Sequence, residues 1–221
     1  VLRLGQEPKN LENVPVPYSL KEHFISGVFG MNYLHDYVKR LLIQLLAFHS
    51  YDDLKIIILT DEEHESEWSF VKNAPHLFSD DRSIRFFATT AEEYKEVCYY
   101  LKHIFDGRKE NTSNNPLFNQ VYLIITDSFK KIRDIDLIED ILNCKNYCGF
   151  SIFIMDKKMT NFPDQCTSFI DLSLITSDNK IGEVKNNLDI NSVIRFNVEL
   201  NTIIDYEGCV KTLANIPIDI K

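Results

Sequence analysis

The sequence predicts an α/β protein: a mostly parallel sheet with helices on both faces and antiparallel strands or a hairpin at its C-terminal edge. Two observations carry this. Short apolar runs alternate with longer amphipathic stretches, the order that strand–helix–strand crossovers produce. The runs Leu54–Leu59 and Val121–Ile125 are almost uninterrupted by polar residues, as in strands buried on both faces of a parallel sheet. The chain has 221 residues, 44% of them apolar, enough for a full core without disulfides or metals.

Leu2-Arg3-Leu4 reads as a first strand ended by Gly5, and residues 6–17, with three prolines, as a loop. His23–Phe29 is a strand. Residues 32–49 are helical, because Leu34, Val38, Leu41, Leu42, Leu45 and Leu46 recur at spacings of three and four. His49 closes that helix, where a cation suits the negative end of its dipole. Leu54–Leu59 is the next strand, followed by a polar helix over Glu63–Lys72 and a strand over Ile84–Ala88. Thr90 caps a helix from Ala91 to Phe105, with Glu93 at the capping-box spacing. Residues 106–118 read as a mobile loop, then come a strand at Val121–Ile125, a helix at Asp134–Asn143 and a strand at Phe150–Met155. From Cys166 the pattern turns to short strands, with Ser177–Lys180 as a hairpin tip. A last helix spans Asp205–Asn215 and stops before Pro217. There is no internal repeat.

Composition removes several classes of function. The net charge of −9 argues against a nucleic-acid partner, which calls for a basic stripe to neutralise phosphates. The tightest basic group, Lys130, Lys131 and Arg133, reads as a solvated helix face. Cys98, Cys144, Cys148, Cys166 and Cys209 are odd in number and irregular in spacing, so they form no disulfide framework. Cys144 and Cys148 lack a second His or Cys pair to complete a zinc site, and the five are expected to be reduced thiols. No segment approaches the roughly 18 apolar residues of a membrane span, and there is no signal peptide. A start on Val1 rather than Met suggests a piece of a longer, membrane-anchored protein.

In open α/β sheets ligands bind at the carboxyl ends of the strands, and two such ends matter. The first is Ser26–Tyr33, a strand-to-helix turn containing Gly27 and Gly30. A working phosphate loop has the form G-x-x-x-x-G-K-[ST]: backbone N–H groups cradle the phosphates, the Lys reaches the β/γ oxygens, and the hydroxyl holds magnesium. Here Met31, Asn32 and Tyr33 stand where the Lys and hydroxyl are needed. The second is Ile124-Ile125-Thr126-Asp127, an apolar strand ending in an acid, as in the strand that carries a magnesium-associated Asp. Thr126 sets Asp127 off from the run, and Ser128 follows it rather than a second acid. Gly27, Gly30, Met31 and Asn32 are therefore a vestigial phosphate-loop turn, with a tight structural turn as the plain alternative. Asp127 is a vestigial acidic strand end, or simply a turn cap. The layout is that of a degenerate phosphate-loop NTPase. No G-x-S-x-G, H-E-x-x-H or G-x-G-x-x-G is present, none of the six histidines falls at a ligand spacing, and Asp61-Glu62-Glu63 with Glu65 and Glu67 reads as a solvated loop and first helical turn.

Residues 27–61, then Trp68, then Pro75-His76 before Ser79-Asp80-Asp81, resemble the FtsK/SpoIIIE-type motor (EssC/EccC family) of type VII secretion systems. The likeness falls on the cytosolic, ATPase-like domain between the membrane helices and the first ATPase module. Ala47-Phe48-His49-Ser50 with Asp53 is its most specific stretch, and Arg3-Leu4-Gly5 and Leu213–Pro217 fit the domain's two ends. The connection after Gly5 is shorter than that pattern expects. The resemblance implies one domain over residues 1–221 that is itself no enzyme, with no catalytic residues, metal or cofactor, although the full-length protein would be an ATPase. It implies a site at the cytoplasmic face of the cell membrane and a coupling role. The partners would be adjacent ATPase modules and membrane helices of the same protein, other secretion components and further copies of itself. Two other readings stand beside it: a regulatory nucleotide-binding domain with a degenerate phosphate loop, and a module of a DNA translocase.

Overall fold

The computed structural model describes residues 15–109, 117–186, 189–200 and 202–215. The expected strand at Leu2–Leu4, most of the loop over residues 6–17 and Pro217 lie outside the described residues.

The elements run β1 (Ile25–Phe29), α1 (Leu34–Phe48), β2 (Leu54–Leu59), α2 (Glu65–Trp68), β3 (Phe87–Ala88), α3 (Ala91–Lys109), β4 (Val121–Thr126), α4 (Phe129–Ile132), α5 (Asp136–Leu142), β5 (Phe150–Asp156), β6 (Ser168–Asp171), β7 (Ile181–Asn186), β8 (Asp189–Asn197) and α6 (Tyr206–Ala214). One sheet has the order β3-β2-β4-β5-β1-β6-β7-β8. From β3 to β6 all pairs are parallel, and β7 and β8 add antiparallel at the edge.

Strand alternation divides the core into two layers. Ile57 and Leu59 of β2, with Ile124 of β4 and Ile152 and Ile154 of β5, pack under Tyr94, Val97, Leu101 and Phe105 of α3 and Leu137, Ile138 and Ile141 of α5. Ile56 and Ile58, with Leu123, Ile125 and Phe153, meet Leu34, Val38, Leu42 and Leu46 of α1, Trp68 of α2 and Val210 of α6. Both faces of β2 and β4 are thus buried, which is why those strands carry no polar alternation.

The differences from expectation have local causes. The strand over Ile84–Ala88 shrinks to Phe87–Ala88: Phe78 bridges Arg85, Arg82 turns the chain at φ 58°, and only the last two residues reach Ile58 and Leu59. The helix over Glu63–Lys72 is confined to α2 and continues as a 3₁₀ turn, Ser69–Val71, around the buried Trp68. The helix over Asp134–Asn143 is α5, and a separate short turn, α4, precedes it so that Phe129 and Ile132 can be buried. Residues 106–109, expected in the loop, belong to α3, and residues 110–116 lie outside the described residues. Arg108 holds that end down: its guanidinium lies 4.9 Å from the Phe118 and Tyr122 rings and donates to the carbonyls of Gln120 (2.8 Å) and Gly149 (3.3 Å). The capping box at α3 forms as expected. Glu93 N–H donates to Thr90 Oγ1 (3.3 Å), and Glu93 Oε2 accepts from the Thr90 (3.1 Å) and Thr89 (2.7 Å) amides. Among the described residues no helix is long and apolar enough to cross a membrane.

Candidate functional site

The carboxyl ends of β1, β2 and β4 open on the same edge of the sheet. At β1, Gly27 is not part of the turn. It sits within the strand, and a Cβ there would lie 2.4 Å from Phe162 Cε1, so its bareness seats a ring. Gly30 does begin the turn. A Cβ on it would lie 2.9 Å from Leu172 Cβ, beside the point where Leu172 N–H donates to the Phe29 carbonyl (2.8 Å). Both glycines thus answer to close packing, Gly27 by Phe162 of the β5–β6 connection and Gly30 by Leu172 just after β6. Met31 is 66% exposed and Asn32 is exposed, and among the described residues neither donates to the acid across the edge. Helix α1 starts at Leu34, only four residues after Gly30. Counted from Gly30, the phosphate-loop pattern would put its second glycine at His35, its Lys at Asp36 and its hydroxyl at Tyr37. A helix has already formed there, and the Lys position carries a negative charge.

Asp127 is the opposite case. Its side chain is 5% exposed and is held from three sides. Oδ1 accepts from Thr60 Oγ1 (2.7 Å) at the end of β2; Oδ2 accepts from Trp68 Nε1 (2.8 Å) of α2 and His35 Nε2 (3.1 Å) of α1. Ser128 Oγ, at 3.3 Å, could serve Oδ1, but its single proton has a shorter path to Asp61 Oδ2 (3.0 Å). Burial would raise the Asp127 pKa, yet the donors from His35, Trp68 and Thr60 hold it below the usual carboxylate range. An ionised carboxylate only accepts, so Nε2 of His35 carries a proton.

Around this acid lies a wider set of contacts that spacing arguments missed. Asp61, expected on a solvated loop, is 13% exposed and accepts from the amide (3.1 Å) and Nδ1 (2.8 Å) of His64, from Ser128 and from Lys131 Nζ (3.1 Å). Burial opposes its ionisation, but Lys131, His64 and Ser128 hold its carboxyl well below the usual range. The His35 and His64 rings stack at 5.4 Å and 17°. Lys39 of α1 pairs with Glu67 of α2, and Tyr94 of α3 donates to the Thr60 carbonyl. Lys130, Lys131 and Arg133 are all exposed, as expected of a solvated face, and from that face Lys131 also reaches Asp61. His35 and Asp127 are 92 positions apart, and Trp68 and Asp127 are 59, so only the sheet brings them together. Trp68 and Asp61 do fall in the stretch that carries the family resemblance.

Both oxygens of the acid at the place of a metal-associated Asp accept from protein donors, and the β1–α1 turn, residues 30–33, contains no Lys, Ser or Thr. Among the described residues no group of three His, Cys, Asp or Glu side chains is placed to hold a metal ion.

Strand order and strand-end geometry define a phosphate-loop-NTPase-like α/β domain. No known protein-family profile matches the chain. It is 22% identical over 214 residues to the type VII secretion system protein EssC of Staphylococcus aureus (strain NCTC 8325 / PS 47), a match that covers 94% of this chain and 14% of that protein. Among solved structures, EccC (ATPases 2 and 3) of Thermomonospora curvata in complex with a signal sequence peptide aligns with TM-score 0.63 and 12% identity, over 94% of this chain and 45% of that one. EssC (ATPases 2 and 3) of Geobacillus thermodenitrificans aligns with TM-score 0.62 and 11% identity, over 88% and 44%. The chain thus resembles type VII secretion EssC in sequence and EssC/EccC ATPase modules in fold, and it spans about a seventh of the length of the curated relatives it matches.

Proposed function

We propose that this is a non-catalytic coupling domain of a type VII secretion motor. It spans residues 1–221 as one unit and joins membrane segments to downstream ATPase modules at the cytoplasmic face of the membrane. The likeness to EssC supports the motor context. The observation that supports the non-catalytic part is the internal pairing of Asp127: Thr60, Trp68 and His35 already donate to both of its oxygens. Phosphoryl transfer is mostly positioning and charge stabilisation. The turn that should supply both presents Met31 and Asn32 instead, and the first turn of α1 carries the acidic Asp36. The net charge of −9 weighs against the DNA-translocase reading. Partners on this reading are the neighbouring ATPase modules and membrane helices of the same protein, other secretion components and further copies of itself.

The test is ATP turnover by the isolated domain with magnesium. The expected rate is background, unchanged by Asp127→Ala. Turnover that survives repurification and disappears in Asp127→Ala would overturn the proposal. Calorimetry at millimolar ATP should give no saturable heat, because a bound phosphate would lack its charge-assisted Lys contact. A dissociation constant in the low micromolar range would favour a regulatory nucleotide site instead.

A further inference from the structure

At the opposite, amino-terminal end of β5, the segment joining α5 to β5 brings two thiols together. Cys144 follows the C-cap Asn143, and its N–H closes the helix on the Ile141 carbonyl (3.2 Å). Cys148 precedes Gly149, which turns the chain into β5 with φ +78°. Their sulfurs lie 3.2 Å apart, and both residues are only half-buried. We propose that Cys144 and Cys148 form a reversible intramolecular disulfide, a modification site oxidised by thiol–disulfide exchange with a low-molecular-weight disulfide such as oxidised glutathione.

The pair touches none of the groups around Asp127, and among the described residues no set of three ligands gathers to make it a metal site. The sulfurs need to approach by only about 1 Å to reach the ~2.05 Å of a bond. Burial, reinforced by the neighbouring Cys144, pushes the Cys148 thiol up to about 12, while Lys109 and Arg108 at the end of α3 oppose that rise. Both sulfurs are half-buried and either can meet the oxidant; with Cys144 first, the bond and the products are the same as with Cys148 first. The Cys144 thiolate attacks one sulfur of the small disulfide, forms a mixed disulfide and expels one small thiolate. Cys148 then gives its proton to solvent and attacks the Cys144 sulfur. That step forms the Cys144–Cys148 bond and expels the second small thiolate. Two protein thiols are oxidised and one small disulfide is reduced to two thiols. Competition from Cys98 and Cys166 is weak, since both are buried and burial pushes each thiol up to about 12. The bond would tie the end of α5 to the start of β5, beside the Gly149 carbonyl that accepts from the Tyr122 amide (2.9 Å). Such a short ring removes little unfolded-chain entropy, so it acts as a local redox mark rather than as a staple.

The experiment equilibrates the full chain in buffers of graded reduced-to-oxidised glutathione ratio, quenches with acid, alkylates and digests with trypsin. Cleavage after Lys145 separates the two cysteines, so the bond joins peptide 134–145 to peptide 146–157. The expected result is a single two-electron transition to the linked species, lighter by two hydrogens than the two peptides together. It should be reversed by reductant and absent in Cys144→Ser and Cys148→Ser. Cys148→Ser should instead accumulate glutathione on Cys144. Recovery of both peptides unlinked at every ratio would overturn the proposal. So would a wild-type chain that stops at the mixed disulfide or links either cysteine to Cys98, Cys166 or Cys209.

Discussion

The ends of β1 and β4 lie on the same edge of one sheet, and both look like remnants of nucleotide chemistry, yet they are built in opposite ways. The β1 end is bare: Gly27 in the strand and Gly30 at the turn accommodate Phe162 and Leu172, and Met31 and Asn32 are exposed, with neither among the donors to Asp127. The β4 end is full: Asp127 keeps its charge and its place, and three elements turn their donors toward it. On the function proposed above, a nucleotide site is lost in two ways, by lacking the groups that hold a ligand or by satisfying an acid from within. The first leaves a tolerant surface. The second makes the acid part of the fold, because removing it strands buried donors.

The largest effect lies beneath both ends. Ile57 is fully buried in β2, and Ile57→Asp puts an unpaired charge in the sheet. We expect a loss of more than about 4 kcal/mol, read as an absent urea transition, and loss of export of a secreted substrate. Normal export from that variant would mean the domain is dispensable.

Next comes Asp127→Ala, which leaves Trp68 Nε1, Thr60 Oγ1 and His35 without their acceptor, at a cost of about 2–4 kcal/mol in urea unfolding. A change under about 0.5 kcal/mol would erase the contrast between the two ends. The same contacts set a pH dependence. Asp127 and Asp61 have pKa values lowered on folding, so the stability they contribute is present above the unfolded carboxylate value near ~3.9 and is lost as pH falls below it toward the folded values. Thermal melts between about pH 5 and pH 2.5 should show this loss. Asp127→Asn should lose less over the same range; an equal slope would place the acid sensitivity elsewhere.

Gly27→Ala sharpens the assignment of that glycine to packing. Its Cβ would meet the half-buried Phe162 ring, which can give way, so about 1 kcal/mol is expected. Phe162→Leu should restore most of it; failure of that rescue would return Gly27 to a role in the turn. The smallest effect belongs to Asn32→Ser, at an exposed position: a change within about 0.5 kcal/mol, with export intact at normal protein level on immunoblots. Lost export at normal level would show that the turn still carries a function.

What the sequence alone determined is what depends on nearest neighbours and on the period of side chains. The near-continuous runs of β2 and β4 marked strands buried on both faces, the three-and-four spacing gave α1, and Thr90 with Glu93 placed the start of α3. The same local reading showed that no Lys followed by Ser or Thr stands at the phosphate-loop spacing after Gly27 or Gly30. Only the tertiary structure decided the rest. Whether Ile84–Ala88 makes five strand residues or two depends on a turn at Arg82, and whether α3 stops at Phe105 or Lys109 depends on rings supplied by Phe118 and Tyr122. Asp127 read as a cap or a remnant because His35, Thr60 and Trp68 stand 92, 67 and 59 positions away. No periodicity spans such distances: hydrogen-bond partners across a sheet are chosen by strand order, and strand order is settled by the packing of both faces together.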